Sequence, residues 1–207
     1  FTTGYEGTAI ESLYPSNTSM FRKAKAQGAT VGYVHAFIGN DDPLDGELGG
    51  AKGFMVDAAL ETTDAVEWAD ANRAGFFPLY AVWNNGLKVA AVGGEDSISN
   101  LQRSKLVGSV RTYVFTGDRG LDMQAWLDGV RAGRSFVSSG PLVELTVNGM
   151  KPGGTVVLPR GGGTVDLEVD VRSITPLETV TLVFNGESIE NFPIGPDRKH
   201  VTLQRTL

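Results

Sequence analysis

The hydrophobic period of this chain changes once, near Gly140, and that change constrains the fold more than any single residue does. After it, apolar and polar residues alternate strictly. Val165, Leu167, Val169 and Val171 interleave with Asp166, Glu168 and Asp170, and the pattern returns from Thr179 to Phe184. A period of two puts one set on a buried sheet face and the other in water. Asn148-Gly149, Pro152 to Gly154, Gly161 to Gly163 and Asn185-Gly186 punctuate the runs as turns. Five or so closely spaced short strands predict an antiparallel, sandwich-like domain over residues 139–207. Its last strand begins at His200, an edge-strand residue expected to face solvent.

Before Gly140, helical and strand patterns take turns. Asn17 to Gln27 predicts a helix. Ser16 or Asn17 caps it, Met20, Phe21 and Ala24 form its apolar stripe, and Gly28 ends it. A strand over 30–37 follows, then a Gly- and Asp-rich loop over 38–53. Phe54 to Leu60 reads as a short helix and Asp64 to Trp68 as a short strand. Pro78 suits the first turn of a helix that Asn85-Gly86 terminates. Strand 87–93 leads to Glu95 and Asp96, and Val110 to Phe115 is rich in β-formers. Leu121 to Ala132 is a second clear helix, with Met123, Trp126, Leu127 and Val130 on one face and Gly133 as its stop. Such alternation predicts an α/β domain over 1–138 with a mostly parallel sheet.

Composition narrows the partners. Lys and Arg number 18 against 24 Asp and Glu, a net charge of −6. That balance lacks the basic footprint of a general nucleic-acid binder. No run approaches the roughly 18 apolar residues that would span a membrane, and Phe1 to Gly7 carries neither part of a signal peptide. Cysteine is absent, which excludes disulfides, thiolate metal sites and cysteine nucleophiles.

Chemistry in parallel sheets gathers at the carboxyl ends of the strands. His35, one of two histidines, stands at such an end, and Asp96 follows the end of another. Imidazole and carboxylate are what a metal or acid–base site would draw from two neighbouring strands. Each also has a plain reading: His35 as a strand histidine satisfied by a carbonyl, Asp96 as a helix cap before Ser97 or a turn residue. Asp41, Asp42, Asp45 and Glu47 read as a solvated loop, since Pro43 interrupts them and their spacing is no EF-hand. Glu67 reads as a hydrogen-bonded carboxylate at a strand end. Glu95 could act in proton transfer only if its environment splits its pKa from that of Asp96. Arg111 and Arg134 could bind an anionic substrate through their guanidinium forks, with surface ion pairs as the default. Ser138 and Ser139 have no histidine near them in sequence.

An ordered series of segments carries a family likeness. It runs through Val31 to Phe37, Val56 to Leu60, Asp64 to Glu67, Trp83 to Leu87, Val92 to Asp96 and Val107 to Val114. It continues through Arg131 to Phe136, Ser139 to Leu142 and Val147 to Gly149. This series, over roughly residues 14–158, resembles the carbaryl-hydrolase-like (CehA/McbA) branch of the PHP-domain metallohydrolases. The resemblance implies a distorted β/α barrel of about seven strands with a Zn, Mn or Fe site at the strand C-termini. It implies hydrolysis of phosphoesters, or of related esters and carbamates. His35 matches a histidine ligand of the family, and Asp96 the aspartate of its late Asp-x-His motif.

The family's opening His-x-His strand has no counterpart here, and Ile98 stands two residues after Asp96, where many PHP proteins carry a histidine. The expectation is therefore α/β architecture forming the C-terminal half of a PHP-type (β/α)7 barrel over 1–138, followed by a small antiparallel β-domain over 139–207. The expected function is metal-dependent hydrolysis of a small-molecule ester or phosphoester, with an incomplete divalent-metal site of His35 and Asp96 and with Arg111 on the substrate. The alternative is a non-catalytic binding or structural module. Neither nucleic acid nor membrane is an expected partner. A half barrel leaves an open edge and an apolar face, so a homo-oligomer is expected, with a partner strand beside 30–37 or 110–115.

Overall fold

A computed structural model describes residues 16–34, 36, 51, 53–67, 76–95, 97 and 106–207. The first part opens with α1 (Asn17–Lys25), β1 (Gly32–Tyr33), α2 (Phe54–Ala59), β2 (Ala65–Glu67), α3 (Phe76–Asn84) and β3 (Ala90–Val92). β1, β2 and β3 lie side by side in that order and all run parallel, with Gly32 opposite Ala65 and Val66 opposite Ala91. Helix-then-strand alternation is what produces this arrangement, because a parallel neighbour needs a crossover.

Successive residues of β2 and β3 face opposite ways, and helices cover both faces. Val66 and Ala91 join Phe54 and Ala58 of α2 and Leu79 and Val82 of α3 in one buried cluster, with Phe21 of α1 packed against it. On the other face Ala65 and Ala90 meet Val130 and Trp126. Those two residues belong to α4 (Met123–Arg131), which follows β4 (Arg111–Val114) and a turn of 3-10 helix, Gly117–Arg119. A bare half barrel would leave this second face uncovered; here α4 occupies it. The fold is a mixture of helix and strand as expected, and no closed barrel forms among the described residues.

β4 pairs antiparallel with β5 (Ser135–Ser138), Arg111 opposite Ser138. β5 also runs alongside β3 in the same direction. Ser135 Oγ donates to the Ala91 carbonyl (2.8 Å), while Gly93 lies so close to Val137 that a Cβ there would come within 2.3 Å of Val137 Cγ1. Thr112 stitches the junction, its Oγ1 accepting from Gly93 N (2.7 Å) and donating to Gly93 O (2.9 Å).

Helix ends follow their signals. Gly28 (φ 83°) and Gly133 (φ 69°) take the left-handed conformation just past α1 and α4, where other residues would be strained. Asp122 caps α4 by accepting from Ala125 N (2.5 Å). Ser16 stands at the N-cap of α1 but makes no side-chain cap bond. Of the stripe expected on α4, Val130 is buried and Trp126 packs beside it, whereas Met123 is 74% exposed; Ala125 and Gly129 are buried as well. The reason is steric, since Gly129 sits against Val114 so tightly that a Cβ would lie 2.3 Å from its Cγ1. The small-residue side of the helix makes the close approach, and Met123 at its start is left over.

After Ser138, β6 (Leu142–Val147), β7 (Asp166–Arg172), β8 (Val180–Phe184), β9 (Glu187–Phe192) and β10 (His200–Thr206) contain all the regular structure. β7 is the middle strand of an antiparallel sheet ordered β10-β7-β6, and β8 and β9 form a hairpin. Leu167 and Val171 are buried as the alternation predicts. Val171 and Val201 pack with Leu177 and Val180, which sets the hairpin against the sheet. Asp166, Glu168 and Asp170 lie on the outer face, paired with Thr206, Gln204 and His200 respectively. His200 is half exposed, on an edge strand as expected, and its ring nitrogen 2.8 Å from Asp170 is the main reason that carboxyl titrates at about 2.

Candidate functional site

Because β1, β2 and β3 are parallel, their carboxyl ends share one edge of the sheet. β1 and β3 are two strand spacings apart, about 10 Å. In sequence, His35 comes two residues after Tyr33 at the end of β1, and Asp96 four residues after Val92 at the end of β3. His35, Asp96 and the acidic loop of Asp41, Asp42, Asp45 and Glu47 lie outside the described residues, so their side chains are not placed.

The described groups at this edge are Tyr33, Glu67, Gly94, Glu95 and Arg111. Glu67 ends β2 with its carboxylate beside Gly94, so close that a Cβ on Gly94 would lie 2.9 Å from Glu67 Oε1. Glu95 turns back to the loop before β4: its Oε1 accepts from Gly108 N (2.8 Å) and from Ser97 Oγ (3.0 Å). The Gly108 N–H above all holds its carboxyl below the usual range, against a smaller opposing effect of desolvation. Glu95 is thus held in its carboxylate form, while Asp96, the other half of the proton-transfer reading, lies outside the described residues. Arg111 is exposed at the start of β4, with its guanidinium beside that same Gly108. Arg134 opens the chain into β5 at the opposite edge, so the two arginines do not converge. Ser138 is already committed: its hydroxyl donates to Pro141 O and accepts from Gly140 N.

Sequence reasoning passed over the most heavily engaged polar group near this edge. Asp57, on the inner side of α2, is 1% exposed. Burial alone would raise its pKa, but hydroxyl donors from Thr18, Tyr33 and Thr62 outweigh it and hold the carboxyl below its ordinary value. Arg22 adds a favourable charge. Burial, with the Asp57 hydrogen bond and charge behind it, pushes the Tyr33 phenol up to about 12. The phenol is therefore a hydrogen-bond donor at neutral pH, not a base. This cluster ties α1, the end of β1, α2 and the following turn together just before His35 in sequence. Gly53 is part of it, since a Cβ there would press on the Tyr33 hydroxyl at 2.7 Å. One signal was available in the sequence: Asp57 interrupts an otherwise apolar helix, Phe54 to Ala59.

Imidazole and carboxylate are donors that borderline divalent metals accept. Among the described residues, however, no three His, Cys, Asp or Glu side chains come together as a metal site would need. Any complete donor set must therefore draw on residues beyond these. No described helix is long and apolar enough to cross a membrane. Compared with protein-family models, curated proteins and solved structures, the chain matches none.

Proposed function

We propose that this chain forms part of a metal-dependent hydrolase of phosphoesters or related esters, with an arc of a PHP-type barrel as its catalytic layer. One observation carries the reading: β1 and β3 are parallel and end at one edge of the sheet, and the sequence places His35 just past one and Asp96 just past the other. In this reading His35 and Asp96 hold a divalent ion, Zn, Mn or Fe. The metal supplies Lewis acidity at the reacting oxygen and lowers the pKa of water. Arg111 gives an anionic substrate a guanidinium at the same edge. Two ligands are fewer than a catalytic site uses, so affinity in this chain is weak and further donors, such as a His-x-His strand, come from elsewhere.

A second reading, a non-catalytic module, draws support from Glu95, whose carboxylate is taken up by Gly108 and Ser97. Among the described residues β1 is an outer strand, and Val34 beside it is 62% exposed, which supports a homo-oligomer; light scattering at micromolar concentration measures it directly.

Calorimetric titration with Mn²⁺ and Zn²⁺, beside hydrolysis of a chromogenic phosphodiester, separates the two readings. The hydrolase reading expects weak metal binding that falls at least ten-fold in His35→Ala and in Asp96→Asn. It expects slow turnover that disappears with the same substitutions. Metal binding unchanged in both variants removes His35 and Asp96 as ligands and puts the module reading first.

A further inference from the structure

An open cleft of about 470 Å³ lies between α3, strands β3 and β5, and the start of β6. Clefts of roughly 300–1,000 Å³ are the size that takes small organic ligands. Its walls are Tyr80 and Trp83 on α3, Val110 and Val137 at the β4–β5 sheet, and Pro141 and Val143 beyond it. Among the described residues, none that lines the cleft carries a charge. The Tyr80 and Trp83 rings stand 5.8 Å apart at 52°, and Trp83 is 43% exposed.

Three polar side chains of the walls are turned to the protein's own backbone. Trp83 Nε1 donates to Val89 O (2.8 Å), Ser135 Oγ to Ala91 O (2.8 Å) and Ser138 Oγ to Pro141 O. Asn84 Nδ2 holds the β8–β9 turn at Asn185 O (2.7 Å), and Gly186 of that turn packs on Tyr80. These bonds have two effects: they fix the walls, so that little ordering is needed on binding, and they leave an apolar surface toward the space between them.

We infer that this cleft is a binding site for an uncharged, largely apolar, ring-bearing small molecule. An anion or cation would leave water without a partner of opposite charge, at a cost the walls cannot offset. A peptide would bring backbone donors and acceptors with few groups to meet them. A planar ring loses nothing polar and gains contact with two aromatic faces. The described walls hold no imidazole, carboxylate or cation, and the inference is one of binding alone. It stands independently of the hydrolase reading.

Nile red, an uncharged dye that brightens and shifts to the blue in apolar surroundings, is the probe. The intact chain should bind it saturably at a single site, and 2-methoxynaphthalene should displace it at least ten-fold more effectively than 2-naphthoate. Val143→Glu places a charge on the wall and should weaken dye binding at least ten-fold. Val157→Glu makes the same change at an 86% exposed residue outside the cleft and should leave binding unchanged. Ser139→Arg, at an exposed lining position, gives the same reading as Val143→Glu without altering a strand. Circular dichroism checks that each variant is folded. Unsaturable binding, equal displacement by the naphthoate, or full affinity in folded Val143→Glu or Ser139→Arg protein would each overturn the inference.

Discussion

Replacing Asp57 by Ala should be among the most damaging single changes in the α/β part of the chain. The side chain is buried and serves as the ionised acceptor for hydroxyls of Thr18, Tyr33 and Thr62. A hydrogen bond to a charged group is worth about 1.5–3 kcal/mol net. Three of them would suggest more than the whole effect, because removing the carboxylate also returns the cost of burying it and hydroxyls can rotate toward other acceptors. Leaving a buried hydroxyl without its acceptor costs about 1–3 kcal/mol, so three such donors, some of them able to turn elsewhere, point to a net loss of about 4 kcal/mol. For a chain of this size each kcal/mol lowers the midpoint by roughly 2–4 °C, so a loss of about 4 kcal/mol means roughly 8–16 °C. Asp57→Asn keeps the shape and one acceptor oxygen, and should cost about half as much. The acid limb gives a second reading. A carboxyl held below its ordinary 3.8 in the fold stabilises the protein above that value and loses this contribution as pH falls through the folded pKa. Wild-type stability should therefore fall more steeply below about pH 4 than that of Asp57→Ala. Thermal unfolding at pH 7 and at stepwise lower pH tests both. A midpoint change under about 2 °C, with identical acid limbs, would refute the claim that this network holds α1, β1 and α2 together.

Tyr33 governs the alkaline side in the opposite sense. Its folded pKa is raised from 10.0 to about 12, so stability is complete below pH 10 and declines as pH rises from there through 12. Tyr33→Phe should flatten the stability profile in that window, and an unchanged slope would count against a buried, Asp57-bound phenol. Gly93→Ala should destabilise by about 1–3 kcal/mol, because the new methyl meets Val137 Cγ1 at 2.3 Å and Val110 Cγ1 at 3.0 Å. Val137→Ala should restore most of that loss; if the double variant is merely the sum of the two singles, β3 and β5 are not in the contact described.

Some of this protein was written in local sequence. The strict alternation from Val165 to Val171 places Leu167 and Val171 inside and the acidic residues outside, because side chains on a strand have only two directions. The ends of α1 and α4 were set by Gly28 and Gly133, the residues best able to take φ near 70–80° without strain. Helix-then-strand order led to a parallel β1-β2-β3 sheet, and with it a shared carboxyl edge for the strands that precede His35 and Asp96. Tertiary structure decided the rest. Periodicity marked Met123 as apolar and helical but could not say that Gly129 would press against Val114 and leave Met123 in water. Asp57 reads as an exception within an apolar helix until Thr18, Tyr33 and Thr62 arrive from three other segments to make it an ionised anchor. Glu95 stood beside a candidate ligand in sequence, yet a loop thirteen residues on claims it through Gly108. The cleft between α3 and β5 has no sequence signature at all. Period, capping and turn chemistry act over a few residues and are legible there, whereas which surfaces meet, and which carboxylate finds its donors, depends on contacts between residues far apart in the chain.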